Sequence, residues 1–141
     1  MSNYSKETIE GIYALGRMFY YHGFTSEAEK VALGLLSLDE ASPNPKLLLA
    51  AINFEKGNYS LAANYFRVIS QISDVGSKKV NSYSALGKLG LLACFVAIDD
   101  FSRGESLVYE IEKNLDGLGP LQIDFMELYK DAIVVNSKKK S

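Results

Sequence analysis

The chain has 141 residues, of which 48% are hydrophobic and 23% are charged, and these proportions are typical of a globular protein with one core. Its 15 basic and 17 acidic residues give a net charge of -2, which excludes the strongly basic character that most nucleic-acid-binding proteins need. The lone cysteine, Cys94, cannot form an internal disulfide and suits a reducing compartment. We therefore expect a single domain that does not bind nucleic acid.

Neither an export signal nor a membrane segment is predicted. The first residues lack the basic and then apolar pattern of a signal peptide. The longest apolar stretch, Leu89 to Ile98, is much shorter than the roughly 20 residues of a transmembrane helix. The sequence therefore predicts a cytoplasmic protein without membrane insertion.

The first two helices are predicted to form a hairpin. Apolar residues recur at intervals of three and four from Thr8 to Tyr21, which is the pattern of an amphipathic helix. Gly23 is the kind of residue that follows a helix end. Ser26 with Glu29 has the spacing of a capping box that would start a second helix.

Prolines and a glycine mark the next pair of helices. Pro43 and Pro45 restrict the backbone before them, so we expect the third helix to run from about Lys46 to Glu55. Gly57 ends this helix, and the apolar periodicity of a fourth helix follows it.

A polar connection over residues 73–84 precedes the third pair of helices. The fifth helix is predicted to reach Ile98 and to end in a turn at Asp99 and Asp100. Adjacent aspartates at a turn are better placed to cap a helix than to form a catalytic carboxylate pair.

The remaining chain is predicted to hold two more helices. Ser102 with Glu105 has the spacing of a second capping box, for a sixth helix that ends near Leu115. Pro120 is suited to the first turn of a capping helix at about 120–136. Residues 137–141 are rich in lysine and are expected to form a flexible tail.

The three helix pairs repeat one pattern. The step along the chain from Gly23 to Gly57 equals the step from Ala28 to Ala62, as in a tandem repeat. A second, somewhat longer step aligns Gly57 with Asp99. The predicted repeats are 9–42, 43–76 and 85–118.

This pattern resembles the tetratricopeptide repeat family, which has a leucine and a small residue on the first helix, glycine at the turn and alanine on the second helix. Leu15, Gly16, Gly23 and Ala28 carry the resemblance in the first repeat. The chain departs from the family where Asn53 replaces an aromatic residue. The resemblance implies an all-α solenoid of three helical hairpins plus a C-terminal capping helix, with the first helices lining a concave groove.

The repeat register places mostly apolar and tyrosine side chains in the implied groove, and such a surface suits a protein partner. A groove that clamps a terminal carboxylate would need more basic and amide side chains than Arg17 and Asn44 supply. The partner-binding groove is predicted to consist of Tyr13, Arg17, Tyr20, Tyr21, Leu47, Ala51, Phe54, Leu86, Leu89, Ala93 and Val96.

The size, the repeat number and the segment from Tyr13 to Gly23 are similar to the tetratricopeptide class of type III secretion chaperones. That resemblance implies a groove that holds an amphipathic helix or extended segment of an aggregation-prone needle or translocator subunit. An alternative is a generic adaptor that recognises a short peptide or helix. A second copy of the chain, or its own last helix, would also cover the groove.

The residues do not predict an enzyme. His22 and Cys94 are single, so neither a histidine-rich metal site nor a zinc cluster is assembled from the sequence. No glycine-rich loop has the spacing that cradles a phosphate. We therefore expect no catalytic residues, no metal and no cofactor.

Overall fold

The computed structural model describes residues 4–72 and 82–139. Within these ranges the chain forms seven α-helices, one short 3-10 helix and no strand, which confirms the all-α prediction. The predicted helix boundaries differ from the observed ones by a few residues. The helices are α1 (Lys6–Tyr21), α2 (Thr25–Leu38), α3 (Pro43–Glu55), α4 (Tyr59–Ser70), α5 (Tyr83–Ala97), α6 (Phe101–Glu112), the 3-10 helix (Leu115–Gly117) and α7 (Pro120–Lys139).

The contacts divide the chain into two compact units, Met1–Tyr65 and Phe66–Ser141, and the division falls within α4. The prediction of one continuous domain stays a prediction. Most of the polar connection predicted at 73–84 lies outside the described residues. Helix α7 continues to Lys139, into the segment predicted as a flexible tail.

Both predicted capping boxes are wrong. Ser26 and Ser102 each lie inside a helix, because α2 begins at Thr25 and α6 begins at Phe101. The N-cap of α6 is Asp100, whose carboxylate accepts a hydrogen bond from the Arg103 N–H at 3.3 Å. The predicted capping role of the aspartates is therefore confirmed at Asp100.

The reason for this difference is the turn between paired helices, which leaves only a few residues from one helix to the next. In each of the three turns, one N–H bonds to the carbonyl three residues back and the next N–H bonds to the carbonyl five residues back, as in a Schellman motif. In the first turn, the N–H groups of Gly23 and Phe24 donate to the carbonyls of Tyr20 (3.2 Å) and Phe19 (2.8 Å). In the second turn, those of Gly57 and Asn58 donate to the carbonyls of Phe54 (3.1 Å) and Asn53 (2.8 Å). In the third turn, those of Asp99 and Asp100 donate to the carbonyls of Val96 (3.1 Å) and Phe95 (2.9 Å).

The backbone conformation of the residue after each first helix is also the same in the three turns. Gly23 and Gly57 have φ angles of 84° and 80°, and Asp99 takes the same left-handed conformation with φ 60°. Asp99 thus fills the glycine position of the third turn, as the alignment of the repeats predicts. Aspartate is one of the few residues with a side chain that tolerates this region.

A side-chain pair closes each of the first two turns, and its chemistry changes from one turn to the next. Phe19 and Phe24 meet edge to face, with ring centroids 6.3 Å apart. At the same positions of the second turn, the Asn58 Nδ2 donates to the Asn53 Oδ1 at 3.3 Å. The Asn53 amide also donates to the Leu49 carbonyl at 2.8 Å, so this buried polar side chain is satisfied.

Substitutions at two of the left-handed positions, Gly57→Ala and Asp99→Gly, are expected to change the free energy of unfolding in opposite directions. Gly57→Ala should lower the free energy of unfolding by about 1 kcal/mol, because a Cβ disfavours positive φ. Asp99→Gly should raise it by about 0.5 kcal/mol, since relief of that strain exceeds the entropy that glycine adds to the unfolded chain. Urea titrations of both variants measure the changes, and shifts of the same sign would contradict the shared turn conformation.

The first unit is built on close packing between α1, α2 and α3. Ala28 and Ala32 of α2 lie in one buried cluster with Leu49 and Ile52 of α3. A Cβ placed on Gly16 of α1 would lie 2.8 Å from the Val31 Cγ1, so the small residue is required there. These contacts position the exposed faces of α1 and α3.

The second unit packs α5 against both α6 and α7, and α6 against α7. Leu92 of α5 and Met126 and Ile133 of α7 are buried. Phe125 and Leu128, which the sequence pattern groups with these core positions, are exposed instead. Helix α7 is therefore apolar on two faces, of which one is covered within the chain.

Candidate partner-binding surface

The first unit carries seven of the predicted groove residues on α1 and α3. Arg17 and Tyr21 are exposed, and the other five are half-buried, so each of the seven retains surface that a partner can reach. We call this set the aromatic surface. Its members are Tyr13, Arg17, Tyr20, Tyr21, Leu47, Ala51 and Phe54.

Three side chains at intervals of four residues form a row along α1. The guanidinium carbon of Arg17 lies 5.9 Å from the ring centroid of Tyr13 and 5.7 Å from that of Tyr21. The Arg17 Nη2 also donates to the Tyr21 hydroxyl at 3.5 Å, and this contact raises the pKa of the guanidinium. The row keeps one cation between two rings at the helix surface.

Tyr20 connects α1 to α3. Its hydroxyl donates to the Glu55 Oε1 at 2.9 Å, and its ring packs on the core of the first unit. Burial of the ring, together with the hydrogen bond to Glu55, raises the pKa of Tyr20 to about 12. Tyr20 therefore stays neutral and remains a donor at neutral pH, which fixes one edge of the aromatic surface.

Phe54 is held by a neighbour that the repeat register does not predict. Its ring meets Tyr59 of α4 edge to face, with centroids 5.2 Å apart. Tyr59 is not among the predicted groove residues, because the family resemblance places only the first helix of each pair in the groove. The spacing of five residues across the turn is the signal that could have found it, because Phe19 and Phe24 make the same kind of contact across the first turn.

The second unit holds the other four predicted groove residues, all on α5. Leu86, Leu89 and Val96 are half-buried. Ala93 is only 9% exposed, so it contributes mainly to the core of this unit and offers a partner little surface. The structure brings together Tyr13, Arg17 and Tyr21 by direct contact, whereas the α5 residues lie in the other unit and are described by themselves.

A concavity lies between α6 and α7 and has a volume of about 410 Å³. Val108 and Ile133 are among the side chains that line it. Lys130 and Glu112, which also line it, form a hydrogen-bonded ion pair at 2.9 Å. This contact with Glu112 raises the pKa of the Lys130 ammonium.

Residues 4–72 and 82–139 contain no cluster of three or more histidine, cysteine, aspartate or glutamate side chains arranged to hold a metal ion. No helix in the same ranges combines the length and apolarity needed to cross a membrane. The chain matches no protein-family model, no curated protein and no solved structure.

Proposed function

We propose that the chain is a tetratricopeptide-like protein that binds a polypeptide partner on the aromatic surface and acts as its chaperone. The partner is an amphipathic helix or extended segment of an aggregation-prone secreted subunit, of the needle or translocator kind. The single observation that carries the binding function is the row of Tyr13, Arg17 and Tyr21 at the surface of α1.

The chemistry of this row supports binding to protein rather than a role in folding. Arg17 forms no salt bridge with a carboxylate of the described residues, so its charge is available to a partner. Tyrosine and arginine are enriched in protein interfaces, because tyrosine buries a large rigid ring and arginine donates several hydrogen bonds from one planar group. The surface therefore suits a segment that presents apolar side chains beside an acidic one.

The shared turn geometry supports the repeat part of the proposal. The three turns make the same hydrogen bonds, and each has a residue in the left-handed conformation at the same position. Such regularity is expected of helical hairpins repeated in tandem. Solenoids of this kind present the exposed faces of corresponding helices to their partners. On this basis we propose a solenoid of three hairpins capped by α7.

Two tyrosines in similar settings allow a matched test of the binding surface. Tyr21 is 69% exposed beside Arg17, and Tyr109 of α6 is 65% exposed with the Lys113 Nζ 4.5 Å from its ring centroid. Tyr21→Ala should weaken partner binding by about tenfold or more, the size expected for an interface hot spot. Tyr109→Ala should leave binding unchanged, and isothermal titration with a co-purified partner measures both.

Equal effects of the two substitutions would contradict binding on the aromatic surface. Circular dichroism of both variants separates a loss of binding from a loss of fold. Both side chains are largely exposed, so their truncation should change stability by less than about 0.5 kcal/mol.

Co-expression separates the chaperone from a generic adaptor. A chaperone should keep one aggregation-prone secretion subunit soluble, and Tyr21→Ala should return that subunit to the insoluble fraction. A generic adaptor would bind a short peptide from its partner without changing the partner's solubility. If no secretion subunit becomes soluble in the presence of the chain, the chaperone proposal fails.

A further inference from the structure

The outer face of α7 carries apolar residues at alternating intervals of four and three. Four of them, Leu121, Phe125, Leu128 and Val135, are exposed, and Leu128 is 63% exposed. Ala132 completes the series and is half-buried. We call these five residues the α7 seam. Their spacing is that of the a and d positions of a heptad repeat, which is the pattern of a helix that pairs with another helix.

Another face of α7 is already used by the chain. Met126 and Ile133 are buried in the second unit, and Tyr129 beside them is half-buried. The Lys130 ammonium is engaged by Glu112. The α7 seam is therefore a second apolar face, in addition to the one that holds α7 on α5 and α6.

The two flanks of the α7 seam differ in charge. One flank has Gln122, Tyr129 and Asn136, which are uncharged at neutral pH and half-buried. The other flank has Asp124 and Asp131, seven residues apart, and both are exposed. Neither aspartate forms a salt bridge within the described part of the chain. In paired helices the flanking charges select the partner and its orientation.

We propose that the α7 seam docks an amphipathic helix of another protein whose apolar stripe is flanked by lysine or arginine. The basic flank of that helix pairs with Asp124 and Asp131, while its apolar residues cover Phe125 and Leu128. This surface lies wholly within the second unit, and the proposal does not depend on the function assigned to the aromatic surface.

A second copy of this chain does not meet the requirement. If two α7 helices paired antiparallel with Phe125 of one on Leu128 of the other, Asp124 of each helix would face Asp131 of its partner, and like charges there are destabilising. If they paired parallel, the aspartates would face the uncharged flank formed by Gln122, Tyr129 and Asn136. Charge complementarity therefore favours a different, basic helix as the occupant.

Two synthetic helical peptides that differ only in flank charge test the proposal. Both carry leucines at the a and d positions, and one has lysine and the other glutamate at the flanking positions. Fluorescence anisotropy with the full chain should show at least about tenfold tighter binding of the lysine peptide, and the difference should shrink when salt is raised from about 50 to about 500 mM.

Charge reversal gives the sharper result. Asp124→Lys with Asp131→Lys should invert the preference, so that the glutamate peptide binds more tightly than the lysine peptide. Glu27→Lys with Glu40→Lys changes two exposed acidic residues of the other unit by the same charge and should leave the preference unchanged. Leu128→Asp should abolish binding of both peptides while the helical content is kept.

Three outcomes would overturn the proposal. They are equal affinity for the two peptides, an unchanged preference after charge reversal, and a dimer in sedimentation experiments that Leu128→Asp dissociates. The last outcome would make a second copy the occupant of the α7 seam. Loss of binding after Tyr21→Ala would concern only the aromatic surface, so failures of the two proposals are distinguishable.

Discussion

Replacing Gly87 with alanine is expected to lower the free energy of unfolding by about 2 kcal/mol, the net effect of overpacking and helix propensity. A Cβ on Gly87 would overlap the backbone N of Ser70 and would lie 2.7 Å from the carbonyl oxygen of Phe66. Helix backbone cannot move away as a flexible side chain can, so this overpacking costs about 3 kcal/mol. The better helix propensity of alanine returns about 1 kcal/mol of that cost.

Gly34→Ala is the matched control for this change. Gly34 lies in the interior of α2, is exposed, and would meet no atom within 4 Å if it gained a Cβ. Its substitution should therefore raise the free energy of unfolding by about 1 kcal/mol through helix propensity alone. Denaturant titration of both variants gives the two changes. A Gly87→Ala variant as stable as the unsubstituted chain would contradict the close contact between α4 and α5.

Native Cys94 is expected to react with iodoacetamide at least about a hundredfold more slowly than in the unfolded chain at neutral pH. The side chain is 1% exposed, so the reagent reaches it only after local or global opening of the second unit. Burial of the sulfur raises the pKa of the thiol to about 11, and the charge of Arg67 only partly opposes this shift. The thiol is therefore both shielded and protonated in the native state.

Mass spectrometry of timed samples measures the labelling rate, and Gly87→Ala provides an internal comparison. Gly87 and Cys94 lie on the same helix, so a loss of about 2 kcal/mol should raise the native labelling rate about thirtyfold if opening is in rapid equilibrium. Gly34→Ala, in the other unit, should not accelerate the reaction. Rapid labelling of the unsubstituted native chain would show that α5 is not buried as described.

The turns are predictable from the sequence because their physical signal is local. A left-handed residue after a helix is nearly always glycine or a short polar residue, so Gly23 and Gly57 can be recognised as turn positions from the sequence. Asp99 is predicted only through the repeat register. The capping boxes fail for a different reason. The last residue of each turn is also the N-cap of the next helix. The N-caps of α2 and α6 are therefore Phe24 and Asp100, and not the serines that the capping-box pattern predicts.

Tertiary neighbours explain what the sequence could not predict about the surfaces. The row of Tyr13, Arg17 and Tyr21 follows from helical spacing alone. By contrast, the bond between Tyr20 and Glu55 depends on how α1 and α3 approach each other. On α7, periodicity finds apolar residues but does not reveal which of two apolar faces is covered, and it therefore groups Leu128 with the core.

The uninterrupted course of α7 has a cause in its sequence. Moving forward from Asp99 by the same step that separates Gly23 from Gly57 leads to Ile133, and the chain continues there with Val134 and Val135. Branching at Cβ makes the left-handed conformation costly at all three positions, so the backbone cannot reverse where the earlier first helices do. These three β-branched residues favour continuation of the helix, and a designed turn of the kind seen at Gly23 and Gly57 would need a glycine at position 133.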